Sequence, residues 1–560
     1  MNQLRNHRVN RPGNKREGFF LILVLVVIVV ATMAAYSFTD LMIAYDESAH
    51  VANDLVQARM SVESGAEVLR LLLSQTPQER FESGGVYNNP NLFQAVTISQ
   101  GVDTTTFSNF SVPAPALDEN GALGGLRFGL QNESARLNIN AMTAVDENSE
   151  AMIAILQASA TADTVVPDNM AVAMLMGLPE MTEDVAYAIL DWLDEDDDPR
   201  EIGAELEYYE ALQTKYEPAN GPFTSVEELL LVRGVTPQLL FGADANRNGL
   251  LDADEQQRYN VTVDTPGALG WAQYITIHGS EASKTFNGEL QANVNKDDLE
   301  TLYDELLTLL GDETMASYIV AFRIAGQPAA SAIAGANQQQ QQSQSGGAWT
   351  TDLLDQLDLS GGGGTELTQV LDLIGSTVTV GQGDQARSYE SPFLDDPIAM
   401  ALYLPIIMNA LTTSDAESIP GRININECPA ELLYGIPLLS VEQVEQILEL
   451  REIDSEDPNR RYETWLMAEG IVTLQEMRTL VPLVTCGGDV YRAQIVGYME
   501  QGGAAHRSEV VIDATTINPK VVAWRDMSHL GRGFDLAVLG LRSQIDAVDV
   551  GLDLSQEPIP

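Results

Sequence analysis

The sequence predicts an α+β protein, and three observations predict it. An uncharged apolar run near the amino terminus continues as an amphipathic helix, a helical unit recurs through the middle, and short alternating apolar stretches sit near the carboxyl end. The run from Phe19 to Phe38 is about 20 residues long, enough at ~1.5 Å per residue to cross a ~30 Å hydrocarbon layer. Leu41, Tyr45, Ala52, Leu55, Val62, Ala66, Leu69 and Leu73 then recur mostly at helical intervals, so one helix is expected from Phe19 to about Ser74. Pro90, Pro113 and Pro115 interrupt the next segment, which leads into a strand at Leu126-Arg127-Phe128-Gly129-Leu130. Alternation in Val490 to Gly497, Ser508 to Ile512 and Val521 to Trp524 predicts an antiparallel set of strands at the far end.

Charge orients the apolar run. Arg5, Arg8, Arg11, Lys15 and Arg16 precede it and Asp40, Asp46 and Glu47 follow, so the first 18 residues belong on the cytoplasmic side and the bulk across the membrane. An ordinary secretory signal is cut after its apolar region, whereas the attractive processing glycine here, Gly18, comes before it. Cleavage between Gly18 and Phe19 would leave the helix on the mature chain. Lys15-Arg16-Glu17-Gly18 followed by Phe19-Phe20-Leu21-Ile22-Leu23 resembles the class III leader of type IV pilins and type II secretion pseudopilins. In those families a prepilin peptidase cuts after the glycine and the new terminal phenylalanine is methylated. One position departs: Leu23 stands at the fifth mature place, where the families usually carry Glu to neutralise the amine of the adjoining pilin inside the bilayer. A pilin with nothing above it does not need that carboxylate, and its absence is the habit of the large minor pseudopilin K at the filament tip. A plain signal anchor is the alternative.

A chain of 560 residues with 45% hydrophobic side chains can bury one large core or two to three ordinary ones. Its 81 acids against 30 bases give a formal charge of -51, which disfavours nucleic acid and suits divalent cations. Cys428 and Cys486 could form a single disulfide in an oxidising compartment, closing a loop worth ~4 kcal/mol on the chain-entropy model; two independent buried thiols are the other reading. His7, His50, His278, His506 and His529 are scattered, and neither a Gly-x-Ser-x-Gly nor a phosphate-binding glycine loop occurs, so no catalytic residues are expected and the chain does not read as an enzyme.

Asn138-Ile139-Asn140, Asn293-Val294-Asn295 and Asn424-Ile425-Asn426 each precede helical periodicity. Two copies go further, with Met176-Gly177-Leu178-Pro179 and Tyr434-Gly435-Ile436-Pro437 before apolar helices. Ser440 with Gln443, Ser225 with Glu228 and Thr473 with Glu476 have capping-box spacing. The middle copy, Leu299 to Arg323, lacks the Gly-x-Pro turn. This layout is that of a helix-hairpin-helix (SAM-like) module, whose turn can present N–H groups to phosphate. Glu180, Glu183, Asp184, Glu442 and Glu445 at the turns oppose that use, so the hairpins read as packing units.

Asp191-Trp192-Leu193-Asp194-Glu195-Asp196-Asp197-Asp198-Pro199-Arg200 follows, then Gly203-Ala204-Glu205-Leu206-Glu207-Tyr208-Tyr209, Phe223 to Leu229 and Val232-Arg233-Gly234-Val235-Thr236. From Asn138 through Thr236 this order is similar to the general secretion pathway protein K family. The resemblance implies a pilin-like α/β head with a large inserted helical domain, and partners among minor pseudopilins H, I and J, the major pseudopilin, prepilin peptidase and possible secreted cargo, with no nucleic acid. An inner-membrane-anchored helix-hairpin-helix binding protein, serving DNA uptake or adhesion, is the alternative reading.

Asp244-Ala245-Asn246-Arg247-Asn248-Gly249-Leu250-Leu251-Asp252-Ala253-Asp254-Glu255 meets the calcium-loop template position by position. Asp244, Asn246, Asn248, Asp252 and Glu255 offer side-chain oxygens, Leu250 its carbonyl, and Gly249 the sharp turn. Calcium is the expected cofactor there, while Asp194 to Asp198 reads as a solvated acidic turn. The Gln-rich and Gly-rich stretches between 335 and 364 read as a flexible tether. The chain thus divides into a leader (1–18), stem helix (19–75), first part of the head (76–135), first helical module (136–240), calcium loop (241–256), strand and middle repeat (257–330), linker (331–365), second module (366–486), closing strands (487–535) and acidic tail (536–560).

Overall fold

The computed structural model describes residues 17–99, 107–159, 166–263, 265–328, 344–381, 385–500 and 502–540. The leader before Glu17 and the tail after Gly540 lie outside them. The expected long helix is present as α1, Glu17–Leu73, about 85 Å at ~1.5 Å per residue. Phe19 through Val51 is exposed along its whole circumference, and the same helix buries Val62, Ala66, Leu69 and Leu73 farther along. That change from bare to half-covered is what separates an anchor from a stem.

The stem packs on a six-stranded antiparallel sheet: β1 (Val96–Ser99), β2 (Ser108–Ser111), β3 (Gln131–Asn132), β4 (Val490–Met499), β5 (Ala505–Asp513) and β6 (Lys520–Asp526). The spatial order is β1-β2-β4-β5-β6, with β3 also pairing β4. Strand alternation decides the faces: Tyr491, Ala493, Ile495, Val510 and Ile512 meet the stem, while Arg492, Gln494, Arg507 and Glu509 point the other way. Gly497 allows the stem to approach, since a Cβ there would stand 2.1 Å from the Ala58 carbonyl oxygen. The strand expected at Leu126–Leu130 is a hairpin arm, Leu123–Phe128, paired antiparallel with Pro113–Leu117.

The described residues between β3 and β4 form a helical domain inserted into the head, seated on the face opposite the stem. It is three copies of one unit. Each opens on a two-residue strand ending in Asn and closes on a parallel one ending in Thr: Leu137–Asn138 with Ile275–Thr276, Ala292–Asn293 with Leu411–Thr412, and Ile423–Asn424 with Val484–Thr485. The first Asn of each repeat accepts the N–H two residues on, at 3.1, 2.8 and 3.0 Å. The second reaches across its unit. Asn140 exchanges two bonds with the Phe223 backbone (3.0 and 2.8 Å) and Asn295 two with Leu367 (2.9 and 3.0 Å), while Asn426 donates to Arg460 O (2.7 Å) and accepts from the Trp465 indole (3.2 Å). The middle copy, which lacks the Gly-x-Pro turn, is therefore a full member by its hydrogen bonds. One continuous apolar core runs through all three units.

Several local expectations change. Ser225 makes no side-chain cap; Thr224 takes that place, giving its N–H and hydroxyl to Glu228 at 2.9 and 2.7 Å ahead of the 3-10 helix Val226–Leu231. The boxes at Ser440 and Thr473 form as expected. Residues 329–343 of the expected tether lie outside the described residues, but the rest is structured. Gln344–Ala348 pairs with Arg387–Glu390, and Gly363 packs so closely on Arg323 that a Cβ would meet Nη2 at 2.1 Å. Glycine here makes room for a buried guanidinium that bonds Val294 O and Thr365 O. Cys428 and Cys486 carry free thiols on the third unit's core side, both pushed up by burial, Cys428 to about 12.

Candidate functional site

The first unit gathers the chemistry. Its helix Glu183–Leu193 is amphipathic and buries Val185, Ala188, Ile189, Trp192 and Leu193. Trp192 stacks on Phe223 at 6.3 Å and gives its indole N–H to Glu228 at 3.2 Å. The neighbouring Asp191 is fully buried by that packing. The chain then leaves through the exposed acids 195–198 and returns with Arg200, whose guanidinium bonds Asp191 (2.6 Å), Asp194 (2.5 Å) and Asp146 (2.8 Å). Gly203 passes directly over Asp191, where a Cβ would stand 1.8 Å from Oδ2. This turn delivers Glu205, only 2% exposed, so that Asp191, Asp194 and Glu205 can each place a carboxylate oxygen within 4.8 Å of the others.

One guanidinium does not satisfy three carboxylates. Asp191 Oδ2, Asp194 Oδ1 and both oxygens of Glu205 are buried with no hydrogen-bond partner among the described residues. Burial, with Asp191 and Asp194 adding to it, pushes Glu205 up to about 8, and burial also raises Asp194. Hard, crowded, unpaired oxygens fit a divalent cation such as calcium. Asp194 is thus a member of a buried cluster, while Glu195 to Asp198 are the solvated turn the sequence suggested. Asp191 and Glu205 escaped notice because the turn that joins them is long. Orphaned oxygens are visible only in three dimensions.

The calcium-template loop lies where this unit meets the head. Asp244, 2% exposed, accepts the N–H groups of Asn248 (3.0 Å) and Gly249 (2.9 Å), and Glu255 those of Asn246 and Asp252 (both 3.1 Å). Asp252 receives the amides of Asn246 (2.6 Å) and Asn248 (3.2 Å). Burial, with Glu255 adding to it, pushes Asp244 up to about 7. Gly249, at φ +80°, makes the turn. The donor set fits calcium, although the oxygens are here turned onto the loop's own N–H groups. The head supports the loop from below: Gln494 of β4 bonds Arg247 O (2.8 Å), Arg507 of β5 bonds Asn246 O (2.5 Å), and Asn248 donates to Gly533 O (2.6 Å).

The two hairpin turns meet glycine to glycine, while Met176 and Tyr434 beside them stay exposed. Gly177 and Gly435 pack on each other: a Cβ on Gly177 would stand 2.4 Å from the Gly435 Cα. This close contact agrees with their reading as packing units.

Residues 135–241 match the family model described as type II secretion system (T2SS), protein K. That segment, about a fifth of the chain, is similar to protein K of the type II secretion system. The resemblance read from Asn138 through Thr236 is thereby borne out. The matched segment holds the carboxylate cluster and the first hairpin turn, and it ends just before the 244–255 loop. No curated protein matches the chain. Among solved structures, the chain is similar to one in the GspK-GspI-GspJ complex of the enterotoxigenic Escherichia coli type 2 secretion system. The identity is 11% and the TM-score 0.28, covering 84% of this chain and 96% of that one. So loose a superposition carries no argument, and the protein K assignment rests on the family match.

Proposed function

We propose that this chain is a minor pseudopilin at the tip of a type II secretion pseudopilus, where it initiates or caps assembly. The observation that carries the reading is a protein K-like segment mounted on a head whose opposite face holds a 57-residue helix with an uncovered apolar half. In this reading prepilin peptidase cuts between Gly18 and Phe19, and the helix stays in the inner membrane with its start on the cytoplasmic side. Leu23 suits a pseudopilin with no neighbour above. Its partners are the other minor pseudopilins, H, I and J, and the major pseudopilin. The exposed domain is also the surface available to cargo. The role is assembly, not catalysis. Calcium is taken at two places, the Asp191–Asp194–Glu205 cluster and the loop from Asp244 to Glu255, where it would relieve the repulsion of buried carboxylates.

Amino-terminal sequencing of the membrane-extracted protein tests the proposal. A mature end at methylated Phe19 is expected. An intact Met1 in cells containing the peptidase would overturn it.

A further inference from the structure

A cavity of about 230 Å³ lies where the third unit meets the short helix after the stem, Pro77–Glu82, and the head sheet. Phe81, Phe286 and Tyr462 give it an aromatic wall, and Lys284, Arg460 and Arg461 give it positive charge. A void of about 150 Å³ already accommodates a benzene-sized molecule, so there is room for a small organic group.

The charges around it are unevenly satisfied. Every lining acid has a partner. Glu281 is held by Arg422 at 2.5 Å, Asp489 by the Ala282 N–H at 2.9 Å, Glu452 by the Ser455 hydroxyl at 2.6 Å, Asp454 by the Tyr87 N–H, and Glu427 by Asn424 at 3.4 Å. Among the cations Arg80 is paired with Asp489 at 3.3 Å, and the other three are less well served. Arg461 has no acid or hydrogen-bond acceptor among the described residues; its Nε is buried and unpartnered, and its guanidinium lies 3.9 Å from the Phe286 ring centre. Arg460 is nine-tenths buried, lies 4.3 Å from the Trp465 ring centre and gives Nη2 to Glu469 at 2.8 Å, with Nη1 left unpartnered. Lys284 reaches only the Thr515 carbonyl, at 2.7 Å. In a chain with 81 acids against 30 bases, guanidiniums on two consecutive residues with unused donors are an unsatisfied demand for an acceptor.

We propose that this cavity binds an organic carboxylate, held by Arg461 and Arg460 with its carbon body against Phe286 and Phe81. A guanidinium fork matches a carboxylate, and the aromatic wall prefers a ligand with a carbon body to a fully hydrated ion. The carboxylate belongs either to a free small acid or to an acidic side chain on a partner protein. The inference is independent of the secretion role.

Titration calorimetry on the full chain in detergent, with glutarate and with the capped dipeptide acetyl-Phe-Glu-amide, tests it. Saturable binding of at least one probe is expected, weakened about 10- to 100-fold in Arg461→Gln, as expected for a lost charged hydrogen bond, and partly restored in Arg461→Lys. Tighter dipeptide binding supports a protein-borne acid, and tighter glutarate binding a free one. Should Arg461→Gln misfold, protection of wild-type Arg461 from phenylglyoxal by either probe supports the site. No saturable binding to the wild type, undiminished binding by a folded Arg461→Gln, or displacement of both probes by equimolar inorganic phosphate overturns the proposal.

Discussion

Replacing Gly177 by alanine drives a methyl carbon to within 2.4 Å of the Gly435 Cα. Neither glycine has a left-handed backbone, so alanine is conformationally acceptable at both and the whole penalty is steric. Ordinary contact begins near 3.4 Å, so the two turns must part by about 1 Å. Overpacking of this kind costs roughly 1–3 kcal/mol. Restricting the unfolded chain returns ~0.4–1 kcal/mol, and the mid-values of the two ranges leave a net loss of about 1.3 kcal/mol. For a cooperative block of 150–250 residues that lowers the melting midpoint by roughly 3–5 °C. Gly361→Ala is the control, because no atom lies within 4 Å of its added Cβ and its φ is unexceptional; it should be neutral or slightly stabilising. Calorimetric melts of the detergent-solubilised chain make the comparison. If Gly177→Ala melted at or above the wild type, the first and third units would not meet through their turns, and the reading of the hairpins as packing units would lose its footing.

Other outcomes follow from the same geometry. Asn295→Ala removes two bonds to the Leu367 backbone and should destabilise the middle unit by roughly 1–3 kcal/mol, read as faster hydrogen exchange from 367 to 373. Glu205 at about 8 and Asp244 at about 7 both sit above their ordinary values of 4.5 and 3.8, so the folded chain retains protons that the unfolded chain releases. Cation-free stability should therefore be greatest near pH 4 and fall as pH rises to about 8, by at most ~1.4 kcal/mol per unit for each group. Saturating calcium should flatten that decline; an unchanged profile would count against both cation sites. Glu205→Gln should raise the cation-free melting midpoint at pH 8 and weaken calcium binding by isothermal titration, because it removes one of three crowded charges.

The amino-terminal half-bare helix was legible in the chain because hydropathy and helical spacing are properties of neighbouring residues; Phe19 to Leu73 needs no distant contact to be a helix. The closing strands at Val490, Ser508 and Val521 were legible for the same reason, as was the calcium-template loop, whose donors lie within twelve consecutive residues. The Asn-x-Asn repeat was visible, but its meaning was not. That Asn140 closes on Phe223 and Asn295 on Leu367 depends on bonds spanning 83 and 72 residues. Only tertiary packing sets two turns glycine to glycine, leaves Glu205 and Asp191 Oδ2 without partners, and leaves Arg461 facing aromatic rings instead of an acid. Local pattern determined what the segments are. Long-range burial decided which polar groups would be left with a demand to meet, because desolvation and partner loss are settled by neighbours that the order of residues does not name.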